Sequence, residues 1–271
     1  MKKFYVITNK TKDKSGEMTC RIKNYIEAHG RECILADEIK KMPKDVDCIL
    51  VLGGDGTLIR AARELHTAQI PLLGINIGTL GYLTEADISN VEESLECLFK
   101  GNTLVENRMM LKGTINGQFE DLSLNDIVLT RSSGALRVIQ YNIYVNGELL
   151  NTYRADGVIV STPTGSTAYN LSAGGPIVKP TAKMIVITPI CSHALNTSSI
   201  VLSAEDEIVL EVCEGHHGGV EEAAVAFDGE RSVSVKTGDK IVIRKAEDTT
   251  RLLKLSQDSF LEILRKKMKG N

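Results

Sequence analysis

A carboxylate in a glycine-rich turn is the part of this sequence best suited to chemistry. Residues 53–57 read Gly-Gly-Asp-Gly-Thr, after a run typical of a buried strand (47–52) and before helical spacing over 58–65. A strand-to-helix turn presents backbone N–H groups to an anion, usually phosphate, and glycine allows close approach. Asp55 would repel that anion unless it binds a metal ion or accepts a proton from an attacking hydroxyl. The pattern therefore favours phosphoryl transfer.

The alternative for this turn is an ordinary helix start in which Asp55 only caps the helix. Two glycines before the aspartate, a third after it and a threonine next favour chemistry. The turn is neither a Walker A site nor the Gly-x-Gly-x-x-Gly dinucleotide fingerprint, because neither pattern is present at these residues.

A second dense signal spans residues 154–176. Arg154-Ala155-Asp156-Gly157 precedes a short apolar strand, and a segment crowded with hydroxyls and glycines follows. Such a loop suits a polyhydroxylated or heterocyclic ligand bound by hydrogen bonds. The alternative is a turn-rich connection with a capped helix, but long loops without structure of their own are usually functional.

The pair Asn125-Asp126 is the third polar signal. It lies in residues 122–129, an otherwise apolar run that predicts a strand. An amide and a carboxylate inside a strand are costly unless they are satisfied. Surface alternation explains one of them more readily than both, so the pair is a candidate binding site.

The predicted elements that position these residues follow two different patterns along the chain. Strands at 3–8, 32–36, 47–52 and 70–75 alternate with helices at 16–29, 58–66 and 90–100, which predicts an α/β domain with a parallel sheet. From residue 104 onward short β-rich runs alternate with turn pairs such as Asn-Gly, which predicts a β-rich, β-sandwich-like domain. The runs are 110–115, 123–130, 139–145, 157–161, 184–188, 208–213, 223–227 and 240–244. Residues 258–267 return to helical spacing. We expect an α/β domain at 1–102, a β-rich domain at 103–250 and a tail helix at 251–271 that packs on the first domain.

Composition limits the possible partners and compartments. The 271 residues are 42% hydrophobic and carry a net charge of −3, so no basic excess exists for nucleic acid. No apolar run is long enough for a membrane helix, and the first residues predict a strand rather than a signal peptide. Six cysteines without a Cys-x-x-Cys pair favour a reducing cytoplasm. His216-His217 lacks a third ligand of suitable spacing, so no metal-ligating residue is predicted.

The three signals together resemble the bacterial ATP-NAD kinase family. Residues 53–57, Asn125-Asp126 and 154–176 are similar to its Gly-Gly-Asp-Gly-Thr, its Asn-Glu/Asp pair and its Thr-Pro-Thr/Ser-Gly-Ser/Thr-Thr-Ala-Tyr segment, in the same order. The resemblance implies an α/β N-terminal domain, a β-rich C-terminal domain and a tail that returns to the first domain. It covers most of the chain, although lipid kinases and phosphofructokinases carry similar glycine turns.

For the turn itself, the resemblance implies that Asp55 accepts the proton of the 2′-hydroxyl of the adenosine ribose. Gly53, Gly54 and Gly56 would let phosphates approach, and Arg60, one turn into the helix, would contact ligand phosphate. The alternative for Arg60 is a solvated helix charge.

For the second half of the chain, the resemblance implies a dinucleotide site. Asn125-Asp126 would hold adenine and ribose hydroxyls, and Arg154 and Asp156 would lie near the nicotinamide half. Arg137 and Cys191 fall near binding positions of related kinases. The residues expected to line the nucleotide pocket are Thr164, Thr167, Ala168, Tyr169, Asn170, Leu171 and Ser172.

The resemblance thus implies a kinase that makes NADP from NAD. The donor would be ATP, another nucleoside triphosphate or polyphosphate, with Mg²⁺ or a similar divalent ion. The enzyme would be a homodimer or homotetramer in which Tyr169 helps to complete a neighbour's site. Two rivals remain open: a lipid or sphingoid kinase that shares the glycine turn, and a non-catalytic dinucleotide sensor.

Overall fold

The computed structural model describes residues 1–78, 81–132, 138–192, 198–215, 218–255 and 260–268. The chain divides into two compact units, one formed by Met1–Arg108 with Asp248–Asn271 and the other by Met109–Glu247. The domain boundaries suggested by the sequence, after residues 102 and 250, stay predictions.

The first unit is built on a parallel sheet. Its strands are β1 (Lys3–Thr8), β2 (Glu32–Leu35), β3 (Cys48–Gly53), β4 (Leu72–Asn76) and β5 (Ala86–Asp87). The order is β2-β1-β3-β4, and both β5 and the end of β17 (Lys240–Lys254) pair in parallel with β4. Three helices connect these strands: α1 (Glu17–Ala28), α2 (Asp55–Glu64) and α3 (Val91–Lys100). The predicted α/β class is confirmed.

Helices cover both faces of this sheet. Successive residues of a strand point to opposite faces, so alternate residues of one strand contact different helices. On one face Leu50 and Leu52 share a buried core with Ile22 and Ile26 of α1. On the other face Gly74 of β4 lies directly against Leu58 of α2. β3 is therefore buried on both sides, as a central strand of a parallel sheet should be. The first turn of α2 is consequently fixed at the carboxyl end of β3.

The second unit is antiparallel. Together with β17, its strands are β6 (Leu104–Ile115), β7 (Phe119–Ser123), β8 (Asp126–Arg131), β9 (Ile139–Val145), β10 (Glu148–Ala155), β11 (Gly157–Ser161), β12 (Met184–Ile190), β13 (Ile200–Ser203), β14 (Ile208–Val212), β15 (Glu222–Phe227) and β16 (Arg231–Lys236).

These strands form two groups. One sheet has the order β13-β12-β11-β8-β15-β16, and a second group has the order β10-β9-β14-β17. Their buried core is shared: it contains Leu129 and Val160 from the first group and Ile143 and Leu210 from the second. The predicted β-rich, sandwich-like class is confirmed.

The clearest difference from the predicted elements concerns the strand expected over 122–129. β7 ends at Ser123 and β8 begins at Asp126, so Asn125-Asp126 lies at the start of a strand rather than inside one. β10 was not predicted, because most of its residues are exposed and it lacks apolar alternation.

The C-terminal helix α5 spans Phe260–Met268, close to the predicted 258–267, and its packing on the first domain stays a prediction. Within the residues that the structure describes, no helix is both long and apolar enough to span a membrane.

Candidate functional site

Asp55 is the first residue of α2, and the glycine turn leads β3 directly into that helix. Gly53 ends β3, and Gly54 precedes the helix in an extended conformation with φ −120°. Asp55 is half-buried and Gly56 is exposed, as is Arg60 one turn further on. The structure therefore places the first group of predicted residues together, on the turn and on the first turns of one helix.

Two backbone N–H groups hold the Asp55 carboxylate. Tyr82 N donates to Oδ2 at 2.7 Å, and Leu83 N donates to Oδ1 at 3.1 Å. Both donors follow β4 in the chain, 27 and 28 residues from the aspartate. Each carboxylate oxygen offers about two acceptor positions, so each keeps one for another donor. The carboxylate is thus fixed in direction and still able to receive a hydroxyl.

Lys12 lies over the same turn, although it was not among the residues predicted from the sequence. A Cβ placed at Gly54 would lie 3.2 Å from Lys12 Nζ, and one at Gly78 would lie 3.1 Å from it. Glycine at both positions therefore leaves room for the ammonium. Among the described residues, Lys12 has no ion-pair partner, and it lies near the positive end of α2. Two positive features at one place favour an anion there.

The loop that carries Lys12 is anchored at both ends. Asn9 Nδ2 donates to Thr57 Oγ1 of α2 at 3.1 Å. The Asp13 carboxylate accepts Met18 N and Thr19 N at the start of α1, at 3.3 and 2.9 Å. Three lysines follow β1, at positions 10, 12 and 14. This run is the sequence signal from which a basic loop could have been predicted.

In the second unit, a different carboxylate holds the predicted Asn125-Asp126 pair. Asp228 Oδ1 accepts Asn125 N at 2.7 Å and Asp126 N at 3.2 Å, and Oδ2 accepts Leu124 N at 2.9 Å. From the other side Thr162 N donates to Asn125 O at 2.8 Å. The pair is therefore fixed through its main chain. Asp228 was not among the predicted site residues, although its Asp-Gly turn was visible in the sequence.

Asp126 has an unusual environment for a carboxyl group. Its residue is 5% exposed. Burial, and secondarily the nearby charge of Asp228, raise the pKa of Asp126 to about 7. Burial disfavours the charged form because it removes water, and a like charge acts in the same direction. Asp126 therefore changes its charge near neutral pH.

The hydroxyl-rich segment after β11 folds against the sheet, and part of it is used internally. Asn170 is fully buried: its Nδ2 donates to Ser166 O and Pro176 O, and its Oδ1 accepts Thr188 Oγ1. Thr164 is buried, whereas Thr167 and Ala168 are half-buried. The short helix α4 (Tyr169–Ser172) exposes Tyr169, Leu171 and Ser172. Asn170 thus shapes the segment that presents these neighbours.

A third group lies at the opposite end of β8 from Asn125-Asp126. Asp156, between β10 and β11, pairs with Arg131 at 3.5 Å. Arg154 is exposed and donates from Nε to Gln140 Oε1 at 2.9 Å. Cys191 follows β12 with φ +47°, and Ile190 O accepts Asp156 N at 3.0 Å. Arg137 and His216-His217 lie outside the described residues.

The part of the chain that the structure describes contains no cluster of three or more His, Cys, Asp or Glu able to hold a metal ion. Mg²⁺ usually binds through one or two carboxylates together with substrate phosphates. The described residues fit that arrangement, with Asp55 as a carboxylate on a turn suited to phosphate.

Comparisons with known proteins agree with this geometry. Residues 3–103 match the ATP-NAD kinase N-terminal domain, and residues 124–255 match the ATP-NAD kinase C-terminal domain. The NAD kinase of Lachnospira eligens is 49% identical over 99% of this chain and 100% of that protein. The crystal structure of an NAD kinase from Archaeoglobus fulgidus in complex with ATP gives a TM-score of 0.81 at 27% identity, covering 98% of each chain. Yeast NADH kinase complexed with NADH has the same fold, with a TM-score of 0.82 at 22% identity over 100% of this chain and 88% of that one. These matches confirm the resemblance seen in the motifs, and the chain belongs to the ATP-NAD kinase family.

Proposed function

We propose that the protein is an NAD kinase that transfers the terminal phosphoryl group of ATP to the 2′-hydroxyl of the adenosine ribose of NAD. The observation that carries this proposal is the 49% identity to a curated NAD kinase over nearly the whole chain. The placement of Asp55 supports it, since a half-buried carboxylate with free acceptor positions stands on a turn suited to phosphate.

In the proposed reaction, the 2′-oxygen forms a bond to the terminal phosphorus while the bond from that phosphorus to the bridging oxygen of ADP breaks. The hydroxyl proton passes to the Asp55 carboxylate and then to water. Positioning and charge stabilisation supply most of the catalysis in phosphoryl transfer. Gly53, Gly54 and Gly56 leave the turn open to phosphate oxygens, and Lys12 and Arg60 contact them. The divalent ion, when bound, neutralises phosphate charge, and Asp55 is the protein carboxylate that would reach it.

The second unit recognises the dinucleotide. Asn125-Asp126 receives adenine and ribose hydroxyls at one end of β8, and Arg154 with Asp156 faces the nicotinamide half at the other end. β8 runs from Asp126 to Arg131, so these ends are about 17 Å apart at 3.3 Å per residue. Two polar clusters so far apart suit a ligand with two polar halves. Thr164, Thr167 and residues 168–172 line the nucleotide pocket, with Arg137 and Cys191 near it.

We also propose a homo-oligomer, a homodimer or homotetramer, in a reducing cytoplasm. Tyr169 is 45% exposed and Leu171 is 39% exposed, so a neighbouring subunit would cover them and Tyr169 could complete that subunit's site. The six cysteines are free, which suits a reducing compartment. Size-exclusion chromatography with light scattering tests the assembly, and a monomer at micromolar concentration would contradict it.

The test of function is one incubation of purified protein with NAD, ATP and Mg²⁺, followed by detection of NADP and ADP. Parallel reactions without donor, and with guanosine triphosphate or polyphosphate in place of ATP, define the donor. Diacylglycerol and sphingosine replace NAD in two further reactions. Lipid phosphorylation without NADP would favour the lipid-kinase rival. Tight NAD binding without turnover under any donor would favour the sensor.

A further inference from the structure

Gly81 lies closer to the Asp55 carboxylate than any other residue type could. A Cβ placed at Gly81 would lie 1.9 Å from Asp55 Oδ1, 2.4 Å from Cγ and 2.7 Å from Oδ2. These distances are far inside van der Waals contact. The φ angle of Gly81 is not positive, so the backbone conformation does not require glycine. Space for the carboxylate does.

The next two residues complete the contact. Tyr82 N and Leu83 N each donate to one oxygen of Asp55. Three consecutive residues therefore contribute an empty side-chain position and two hydrogen bonds to a single carboxylate. Hydrogen bonds from two donors to two oxygens fix both the position and the plane of the group.

The segment that bears these donors is held in place by contacts with β4 and with the end of β17. Glu85 N donates to Gly74 O of β4 at 2.9 Å. The Glu85 carboxylate forms an ion pair with Lys254 and accepts Leu255 N at 3.1 Å. Thr84 packs against the position of Gly74. The donors that hold Asp55 therefore stand on a braced element rather than on a free loop.

We propose that residues 81–83, the 81–83 clamp, position the Asp55 carboxylate for proton transfer, and that Gly81 is a positioning residue of the reaction. The proposal rests on the proposed role of Asp55 as proton acceptor. Each of the two backbone N–H groups occupies one lone pair on one oxygen of Asp55. The remaining lone pairs can accept the substrate hydroxyl. A displaced carboxylate still permits nucleotide binding but misses the hydroxyl, so the effect falls on kcat rather than on KM for NAD.

The experiment is a double-mutant cycle with Gly81→Ala, Asp55→Ala and both changes together. Gly81→Ala should lower kcat by about 10²-fold, since a displacement of about 1 Å can have that effect, with KM for NAD changed less than threefold. Asp55→Ala removes the three atoms nearest to the new methyl group. In that background Gly81→Ala should change neither Tm nor the residual rate, whereas in the wild-type background it lowers both.

Gly74→Ala is the matched control. Its Cβ would lie 2.6 Å from Leu58 Cδ1 and 3.0 Å from Thr84 Cα, so it presses on the same helix and segment without touching Asp55. It should lower Tm equally in both Asp55 backgrounds, and because it reaches the clamp only through Thr84, it should lower kcat by less than Gly81→Ala does.

Three results would overturn the clamp: a kcat loss below tenfold in Gly81→Ala, an equal Tm loss in both backgrounds, or a kcat loss in Gly74→Ala as large as that in Gly81→Ala. If Gly81→Ala fails to fold, recovery of folding by Asp55→Ala still supports it, and failure to recover overturns it. The wild-type assay fails separately if the proposed function is wrong, because no NADP is then formed.

Discussion

Asp55 and Asp126, the two carboxylates that the sequence singled out, have opposite surroundings. Asp55 is half-buried, accepts two backbone N–H groups and shares its turn with the Lys12 ammonium. Asp126 is buried, and a second carboxylate, Asp228, acts on it. The first carboxylate is surrounded by hydrogen-bond donors, whereas burial and a second carboxylate raise the pKa of Asp126.

In both regions backbone N–H groups donate to a carboxylate, but the group that is held in place differs. At Asp55, the main chain of residues 82–83 holds a side chain. At Asp228, a side chain holds the main chain of residues 124–126. A proton acceptor needs its own oxygens placed, whereas a binding pair at a strand start needs its backbone placed. The difference is what we expect if the proposed chemistry takes place at Asp55 and the proposed recognition at Asn125-Asp126.

The largest expected effect is at Asp55. Asp55→Asn should lower kcat by ~10²–10⁴-fold, the usual loss when a general base is removed, while NAD affinity stays within a few-fold. The amide keeps the size of the side chain but cannot accept the proton, and its NH2 end also loses the hydrogen bond from Tyr82 N or Leu83 N. Steady-state NADP formation and calorimetric NAD titration measure the two quantities. A kcat above about a tenth of wild type would show that Asp55 is not the base.

Asp126→Asn tests the second environment through the pH dependence of stability. The pKa of Asp126 is about 7 in the folded protein against an ordinary value of 3.8. Between those values the folded state keeps a proton that the unfolded state has lost, so this group lowers stability as pH rises to about 7 and has no further effect above it. The charge-free Asn variant should lack that fall.

Urea unfolding of both ligand-free proteins at pH 5 and pH 8 measures this prediction. Relative to wild type, Asp126→Asn should gain roughly 2–3 kcal/mol between the two pH values, at 1.36 kcal/mol per pKa unit over about two units. Titrating groups other than the interacting pair Asp126 and Asp228 are common to both proteins and cancel in the difference. A difference that does not vary with pH would mean that the folded state does not hold the Asp126 proton in this range.

Much of the fold was predictable because local pattern and tertiary environment agree. β1, β9 and β11 have the bounds expected from their apolar runs, 3–8, 139–145 and 157–161. β10 was missed because most of its residues are exposed without apolar alternation. β16 was missed although Val233 and Val235 alternate with polar residues. The split between β7 and β8 could not be foreseen, because Asp228, more than 100 residues away, imposes it.

The site shows the same division between local and distant information. Glycine spacing identified the turn around Asp55, and the family motif supplied its implied role. Lys12 and Gly81 were missed because their relation to that turn depends on how β1, β3 and β4 lie side by side. Asn170 was expected to line the nucleotide pocket, and its amide bonds to Ser166 and Pro176 of the same segment and to Thr188 of β12, which composition cannot reveal.

Lys12→Met should have an effect of intermediate size. It tests whether the region around Asp55 binds the phosphoryl donor while the second region binds NAD. We expect KM for ATP to rise about tenfold, close to 1.4 kcal/mol, because a phosphate loses a charged partner, while KM for NAD changes little. Lys14→Met removes the same charge from the same loop and should leave both values within twofold. Equal effects of the two changes would assign the result to general charge rather than to the turn.

The smallest expected effect is at Asn125. Its main chain is held by Asp228 and Thr162, so Asn125→Ala should remove one side-chain hydrogen bond to the ligand without moving the strand start. A neutral hydrogen bond contributes ~0.5–1.5 kcal/mol, so its loss raises Kd for NAD roughly 2- to 13-fold. The loss in Asp126→Ala should reach ~1.5–3 kcal/mol only above pH 7, where the Asp126 carboxylate is charged. Calorimetric titration of NAD measures Kd, and thermal unfolding of the ligand-free protein should show little change.

The matched control is Asn151→Ala. Asn151 is an exposed asparagine on β10, and its replacement should leave Kd for NAD unchanged. If Asn125→Ala instead lowers Tm strongly and leaves Kd of the folded fraction unchanged, the pair supports the strand rather than the ligand, and the contrast between a chemical and a recognition region fails on its second side.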